Sequence, residues 1–345
     1  MFSFNSDYSE GAIPEIIQAL ATSNLSQSVG YGMDDDCKMA KEMIKTSLQC
    51  ESCDLHFLVG GTQANKTIID HALRSYQAVI AASTGHINVH ETGAIEASGH
   101  KVVIADSKDG KVSKEGIIKA VRSHTDEHMV QPKMVYISNS TEIGTIYKKS
   151  ELLELHTICK ELGLYLFMDG ARLGSALMAI DNDVEMKDLC QYLDVFTIGG
   201  TKNGALFGEA VVICNDELKK DFRYAIKQHG GMLAKGRLLG IQFYQLFKDN
   251  RYFKIAKHAN EMATLLQNAF LEVGLPLYCK TTTNQVFVIL PNTLIAELQK
   301  KYAFQVWEEV DSTHTAMRFV TSFATPKEQV DAFIGDLKQL CLFTK

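Results

Sequence analysis

The stretch Leu164-Tyr-Leu-Phe-Met-Asp-Gly-Ala-Arg172 decides the fold. Leu164–Met168 is apolar without alternation, which marks a strand covered on both faces. It stops on an aspartate, and Gly-Ala-Arg follows, placing an acid and a guanidinium just past a core strand. A helix N-cap is the ordinary use of such an aspartate. Arg172 argues for more, because opposite charges beside a core strand need a ligand or a partner. The same grammar recurs outward in both directions. Short apolar runs at Leu55–Val59, Val102–Ala105, Met134–Ser138, Val195–Ile198 and Ala210–Cys214 alternate with stretches of helical spacing at Thr62–Ser75, Lys114–Ser123, Ser150–Leu162 and Met186–Tyr192. Alternation of this kind predicts an α/β domain, a mostly parallel sheet with helices on both faces. Ligands of such sheets bind where loops leave the carboxyl ends of the strands.

Beyond about residue 235 the pattern changes. A long helical region, Leu238–Val273, leads into Leu275–Cys279, Gln285–Leu290, a helix near Thr293–Tyr302, then Gln305–Glu309, Met317–Phe323 and a last helix, Pro326–Leu342. The expected division is a segment 1–20 packed on the small domain, a large domain 21–240, and a smaller α+β domain 241–345.

The chain has 345 residues, 46% of them hydrophobic and 22% charged, with a net charge of −6. That composition excludes a disordered or collagen-like chain. A mildly acidic chain carries no electrostatic footprint for nucleic acid or for anionic membrane. No apolar run is long enough to span a bilayer, and the first residues have no basic-then-apolar signal pattern. Eight scattered cysteines fit a reducing compartment, so a cytoplasmic location is expected.

Four segments carry candidate chemistry. In Phe57-Leu-Val-Gly-Gly-Thr-Gln-Ala-Asn65 a strand runs through two glycines into a helix, a place where free N–H groups bind anions. It matches neither dinucleotide nor nucleotide-triphosphate fingerprint. Asp169 and Arg172 form the second segment. The third, Asp194-Val-Phe-Thr-Ile-Gly-Gly-Thr-Lys-Asn-Gly204, holds Lys202 in a glycine-bracketed loop, either a free surface lysine or an imine former. The fourth, Gly85-His-Ile-Asn-Val-His-Glu-Thr-Gly93, contains His86, His90 and Glu91 in an order that is not a known zinc signature, so no metal is expected. Cys50-Glu-Ser-Cys53 is a single C-x-x-C, read as two ordinary cysteines. Together these segments meet the demands of pyridoxal 5′-phosphate. Gly60–Gln63 serve the phosphate, Lys202 the aldehyde, Asp169 the ring nitrogen and His86 the ring face.

The order of these motifs resembles the aspartate-aminotransferase-like fold type I. Within it, the chain resembles the threonine aldolase / β-eliminating lyase family along nearly its whole length. The resemblance rests on Asn5-Ser-Asp-Tyr-Ser, Gly30-Tyr-Gly-Met-Asp-Asp35, Gly61-Thr-Gln-Ala-Asn65, His86 with Glu91, Asp169-Gly-Ala-Arg172, the Lys202 segment, Gly230-Gly-Met232 and Met317-Arg-Phe-Val-Thr321. It implies a seven-stranded-type sheet and a lyase cleaving the Cα–Cβ bond of β-hydroxy-α-amino acids. It implies that Lys202 carries the cofactor, Asp169 protonates its ring, His86 stacks on it, and Gly61, Thr62 and Gln63 hold its phosphate. Arg172, Ser6 and Arg318 would receive the substrate carboxylate. Tyr31 and the segment Gly230–Arg237 would lie near a neighbouring subunit's site, in a homodimer or homotetramer. The chain departs from the family at Ser140-Thr-Glu-Ile-Gly144, where Glu142 replaces a histidine that lies near the substrate side chain. The base for the β-hydroxyl is then His86, Glu142, His90 or a water. Other readings are β-elimination, transamination, or a non-catalytic ligand-binding protein with a degenerate site.

Overall fold

Seven strands form the main sheet of the computed structural model, which describes residues 1–343. In spatial order they are Asp54–Leu58, Glu209–Ile213, Val195–Gly199, Tyr165–Asp169, Gln131–Ser138, Gln77–Ala82 and Lys101–Ala105. Glu209–Ile213 runs antiparallel to both of its neighbours, and the other six strands are parallel. Alternate residues serve opposite faces. Val135, Ile137, Leu166 and Met168 join one core, while Met134, Tyr136 and Phe167 join the other. Helix Lys149–Glu161 covers the first face through Leu152, Leu155 and Ile158. Helix Gly61–Ala72 covers the second through Ala64, Ile68 and Ile69. Two buried faces explain why the strands read as continuous apolar runs.

One strand escapes the sequence pattern. Gln77–Ala82, all six residues buried, is alanine-rich and so carries little of the β-branched signal that marks a strand. The expected long helix of 238–273 is two helices, Arg237–Phe247 and Arg251–Glu272. Asp249 and Asn250 separate them with φ of 55° and 57°, a left-handed conformation that Asn and Asp tolerate better than most residues.

A second, antiparallel sheet of four strands follows, in the order Leu277–Cys279, Gln285–Pro291, His314–Val320, Gln305–Glu309. Helices Arg251–Glu272 and Lys327–Phe343 pack on it, with Leu266, Phe270, Val330 and Phe333 against Val286, Val288, Met317 and Phe319. The N-terminal segment divides its attachments. Phe2–Ser3 pairs in parallel with Tyr302–Ala303, and Phe4 sits fully buried among Tyr302, Phe319 and Phe333. Helix Pro14–Ser23, expected on the small domain, instead belongs to the main core. Its Ile13 and Ile16 are buried there, and Ile13 N–H donates to Gly204 O at 2.9 Å. Apolar anchors at both ends thus stretch residues 5–12 between the two cores. Phe4→Ala should destabilise the protein by about 3–5 kcal/mol in urea unfolding, because the aromatic cluster cannot close the space left behind.

Candidate active site

Two turns at the carboxyl edge of the main sheet place the charged groups. Asp169 ends its strand, and Gly170 follows with N–H donated to Thr197 Oγ1 at 2.8 Å. A Cβ at Gly170 would collide with the Thr197 carbonyl, so the turn requires glycine. Lys202 lies past the neighbouring strand in a loop closed by Gly200 N–H and Thr201 N–H to Gly208 O, at 2.9 and 3.1 Å. Asn203 Nδ2 donates to Tyr252 O at 2.8 Å and fixes the far side. This is a rigid loop, and the reading of Lys202 as a free surface lysine fails. Burial, then the Arg172 guanidinium, lower the Lys202 pKa, opposed by Asp7, Asp169 and Glu209.

Lys202 and Asp169 face one cavity of about 350 Å³, which Gly61, Thr62, His86, Glu142 and Arg172 also line. At one end lies the start of helix Gly61–Ala72. Its first intrahelical bond is Ala64 N–H to Gly60 O, which leaves the N–H groups of Gly61, Thr62 and Gln63 without helical acceptors. A Cβ at Gly60 or Gly61 would meet nothing within 4 Å, so open space fronts these donors. The Gln63 side chain is spent elsewhere, its Oε1 accepting from Val59 N–H and its Nε2 donating to His229 O. Gln63 therefore offers an anion its backbone only.

A chain of hydrogen bonds supports the middle of the cavity. Asp169 Oδ2 accepts from Tyr136 Oη at 2.7 Å and Asn65 Nδ2 at 2.9 Å, while Oδ1 accepts from Ala171 N–H at 2.8 Å. Asn65 Nδ2 also donates to Glu91 Oε1 (2.8 Å), which bonds His86 Nδ1 at 2.8 Å. On the other side Ser138 Oγ donates to Glu142 Oε1 (2.7 Å) and stands 3.4 Å from Tyr136 Oη. His86 N–H donates to the same Glu142 oxygen at 2.9 Å. Burial raises the Glu142 pKa, and the Ser138 bond only partly opposes it. Burial, followed by Asp169, raises the Tyr136 phenol, which stays a donor.

The arginines behave differently from the expectation. The Arg172 fork grips buried Asp7, Nε to Oδ2 at 2.7 Å and Nη2 to Oδ1 at 3.1 Å, and Asn284 Nδ2 adds a bond at 2.9 Å. Burial alone would raise the Asp7 carboxyl, but Arg172 and Lys202 hold it below its usual range. The bidentate face of Arg172 is thus already taken by Asp7, which leaves it only to assist a substrate carboxylate held elsewhere. Arg318 lies in an adjoining cleft of about 630 Å³ that His86, Glu142, Arg172 and Lys202 also line. Its Nη2 donates to Gln305 Oε1 at 2.5 Å, and its buried Nε has no partner. Burial and nearby Arg172 lower its pKa. Ser6 bonds Ser9 and walls neither space; Tyr8, two residues on, lines both. Tyr31 is also absent from the cavity. It stands half exposed at φ 62°, tied by its N–H to Ala234 O and by its ring to Lys227.

Asp7, Asn65, Tyr136, Ser138 and Glu209 are the residues that sequence reasoning assigned no role. Asp7, Asn65 and Glu91 stood inside quoted motifs, but their partners lie up to 277 residues away, as for Asp7 and Asn284. Glu209, 4% exposed, opens the antiparallel strand beside Lys202, and its Oε1 accepts from Thr201 Oγ1 at 3.0 Å. Its Oε2 has no partner, and burial, followed by Asp169, pushes its pKa up to about 8.

Comparison with known proteins identifies the family. Residues 3–293 match the family model of the β-eliminating lyases. The chain belongs to the β-eliminating lyase family. This family member is 31% identical over 338 residues to the low specificity L-threonine aldolase of Pseudomonas aeruginosa, covering 97% of this chain and 96% of that protein. The solved threonine aldolase of Leishmania major is 46% identical, with a TM-score of 0.98 over 99% of this chain and 100% of that one. A solved structure of SPT with PLP shares the fold, at 14% identity and a TM-score of 0.73, over 98% of this chain and 86% of that one.

Glu209 gives the site a pH dependence. A carboxyl whose pKa is raised on folding stabilises the native state at low pH, and that contribution is lost as pH rises toward 8. In the cofactor-free enzyme, Glu209→Gln should flatten the fall of Tm between about pH 5 and 8 relative to wild type, as read by scanning fluorimetry.

Proposed function

We propose that this lyase uses pyridoxal 5′-phosphate to cleave the Cα–Cβ bond of β-hydroxy-α-amino acids, converting L-threonine or L-allo-threonine to glycine and acetaldehyde. The observation that carries the reading is the Lys202 amine, depressed by burial in a cavity it shares with Asp169 and a helix start of free N–H donors. The donor set fits the cofactor. Open space before Gly60 and Gly61 suits a phosphate, Asp169 suits a ring nitrogen, and Lys202 makes no hydrogen bond among the described residues that would compete with an aldehyde. The bound cofactor would supply an electron sink at Cα of the substrate.

The residues would divide the remaining tasks. Lys202 would hold the aldehyde, and a lowered pKa favours the free amine that attacks. Asp169, locked by Tyr136, Asn65 and Ala171, would face the ring nitrogen with its orientation already fixed. His86, oriented through Nδ1 by Glu91, would lie on the ring face. Arg318 would take the substrate carboxylate, with Arg172 adding charge from behind and Tyr8 closing the wall. Glu142 would take the β-hydroxyl proton as the Cα–Cβ bond breaks. A carboxyl raised by burial is the stronger base for that work near neutral pH. Burial, then His86, Arg318 and Lys202, lower the His90 pKa.

The chain is further inferred to work in the cytoplasm as a homodimer or homotetramer acting on small amino acids. Supporting this are its cysteines, none in a disulfide among the described residues, and the half-exposed Tyr31 beside the segment 230–237, available to a second copy. No helix of the described residues is long and apolar enough to cross a membrane.

Incubation with L-threonine, L-allo-threonine and phenylserine should release glycine. Accumulation of 2-oxobutanoate from threonine would assign elimination instead, and binding without turnover would assign a ligand-binding role. Glu142→Gln should lower kcat on these substrates by about 10²–10⁴-fold. Exchange of the glycine Cα proton, followed by NMR, should keep its wild-type rate, because it needs no β-hydroxyl base. Equal loss of both reactions, or of neither, would move the base to His86 with a water.

A further inference from the structure

The opposite edge of the main sheet carries four thiols that the lyase chemistry does not use. Cys53 immediately precedes strand Asp54–Leu58, and Cys214 immediately follows strand Glu209–Ile213. Asp54 pairs with Ile213, so these two cysteines emerge together at the amino ends of the parallel strands. Cys190 comes from helix Met186–Tyr192, which feeds the amino end of strand Val195–Gly199. Cys50 lies on the turn that joins helix Asp35–Leu48 to the first strand. Asp169 and the Gly60 turn leave the carboxyl ends of their strands, so this cluster and the cofactor cavity lie at opposite edges.

The Sγ atoms of Cys50, Cys53 and Cys190 all lie within 4.8 Å of one another. A tetrahedral zinc thiolate with Zn–S of about 2.3 Å sets its sulfurs roughly 3.8 Å apart, so sub-ångström side-chain shifts close the geometry. Cys190 is in contact with Cys53 and, outside the triangle, with Cys214, whose sulfur would have to swing inward to serve as a fourth ligand. All four cysteines are free. The surroundings supply positive charge: Lys45 Nζ donates to Glu51 O and Lys219 Nζ to Ser52 O, each at 2.7 Å. Both cations thus flank the C-x-x-C turn, where they would offset the double negative charge of a metal tetrathiolate.

We propose that Cys50, Cys53 and Cys190 form a structural site for a thiophilic divalent cation of the zinc class, with Cys214 swinging in from beside Cys190 as the fourth ligand. On uptake the metal displaces the thiol protons to solvent, so that four sulfur–metal bonds replace four S–H bonds with no change of oxidation state. The ion would pin the 49–53 turn to helix Met186–Tyr192 and to the end of strand Glu209–Ile213. It is remote from the cofactor and takes no part in turnover.

The test uses reduced, chelator-treated holoenzyme titrated with Co²⁺ alone. One equivalent per chain should bind, with thiolate-to-cobalt absorption in the near ultraviolet and ligand-field bands of a tetrahedral ion in the red, both removed by Zn²⁺. Zn²⁺ should raise the Tm while glycine release stays unchanged. Cys50→Ser, at a half-buried position that tolerates the change, should weaken Co²⁺ binding at least 100-fold and keep full activity. Cys190→Ser should do the same, and Cys279→Ser should change nothing. Absence of the cobalt bands, or bands that survive Cys50→Ser in a folded protein, would overturn the proposal. So would stable closure of a Cys50–Cys53 disulfide with no metal uptake by the reduced enzyme.

Discussion

A carboxylate withdrawn from water at the end of a core strand persists only when its oxygens are satisfied, and Asp169 shows how much structure that requires. Removing such an ion from water costs several kcal/mol. Hydrogen bonds to a charged group contribute about 1.5–3 kcal/mol each. Asp169 accepts three, from Tyr136, Asn65 and Ala171, and those donors come from three separate elements of the large domain. Fixing the carboxylate therefore fixes helix Gly61–Ala72 against strands Gln131–Ser138 and Tyr165–Asp169. The free N–H groups at the start of that same helix are fixed with it, so the distance between the two ends of the cavity is set by the same contacts.

The other charges are balanced in pairs across the cavity. Asp7 neutralises Arg172 and sits near Lys202, while Asn284 ties Asp7 to the small domain. Glu209 faces Lys202 from the antiparallel strand, and burial drives the lysine down and the glutamate up, toward a neutral pair. Among the described residues Arg318 forms no ion pair, and its Nε is unbonded in a buried position. The proposed substrate carboxylate would supply the missing anion. Because Asp7 reaches Arg172 from a segment anchored at Phe4 and Ile13, the packing of both cores sets where that charge stands.

The parts of this architecture legible in the sequence are those with local signals. Strand Tyr165–Asp169 reads as a core strand because both its faces are covered, and Lys202 and Asp169 stand out because charged residues end such strands. Strand Gln77–Ala82 was not legible, since its alanines are buried without strand-like character. Likewise, the helix Pro14–Ser23 gives no hint of which core its apolar face meets. Ser6 misled because a motif marks a segment and not the side chain that turns inward; Asp7 and Tyr8 do that work. The hydrogen-bond partners of Asp169, Arg172 and Glu142 come from distant positions, and no periodicity encodes them. The same holds for Cys190, which a helix brings to the C-x-x-C pair, and for Cys214, which sheet register sets beside Cys53.

Covalent trapping tests most directly whether Lys202 carries the cofactor opposite Asp169. The holoenzyme is reduced with borohydride, digested, and its peptides are sequenced by mass spectrometry. The account predicts a single phosphopyridoxyl group, stoichiometric with the chain, on Lys202. A label on any other lysine, or a colourless protein that takes up no pyridoxal phosphate and yields no labelled peptide, would contradict it.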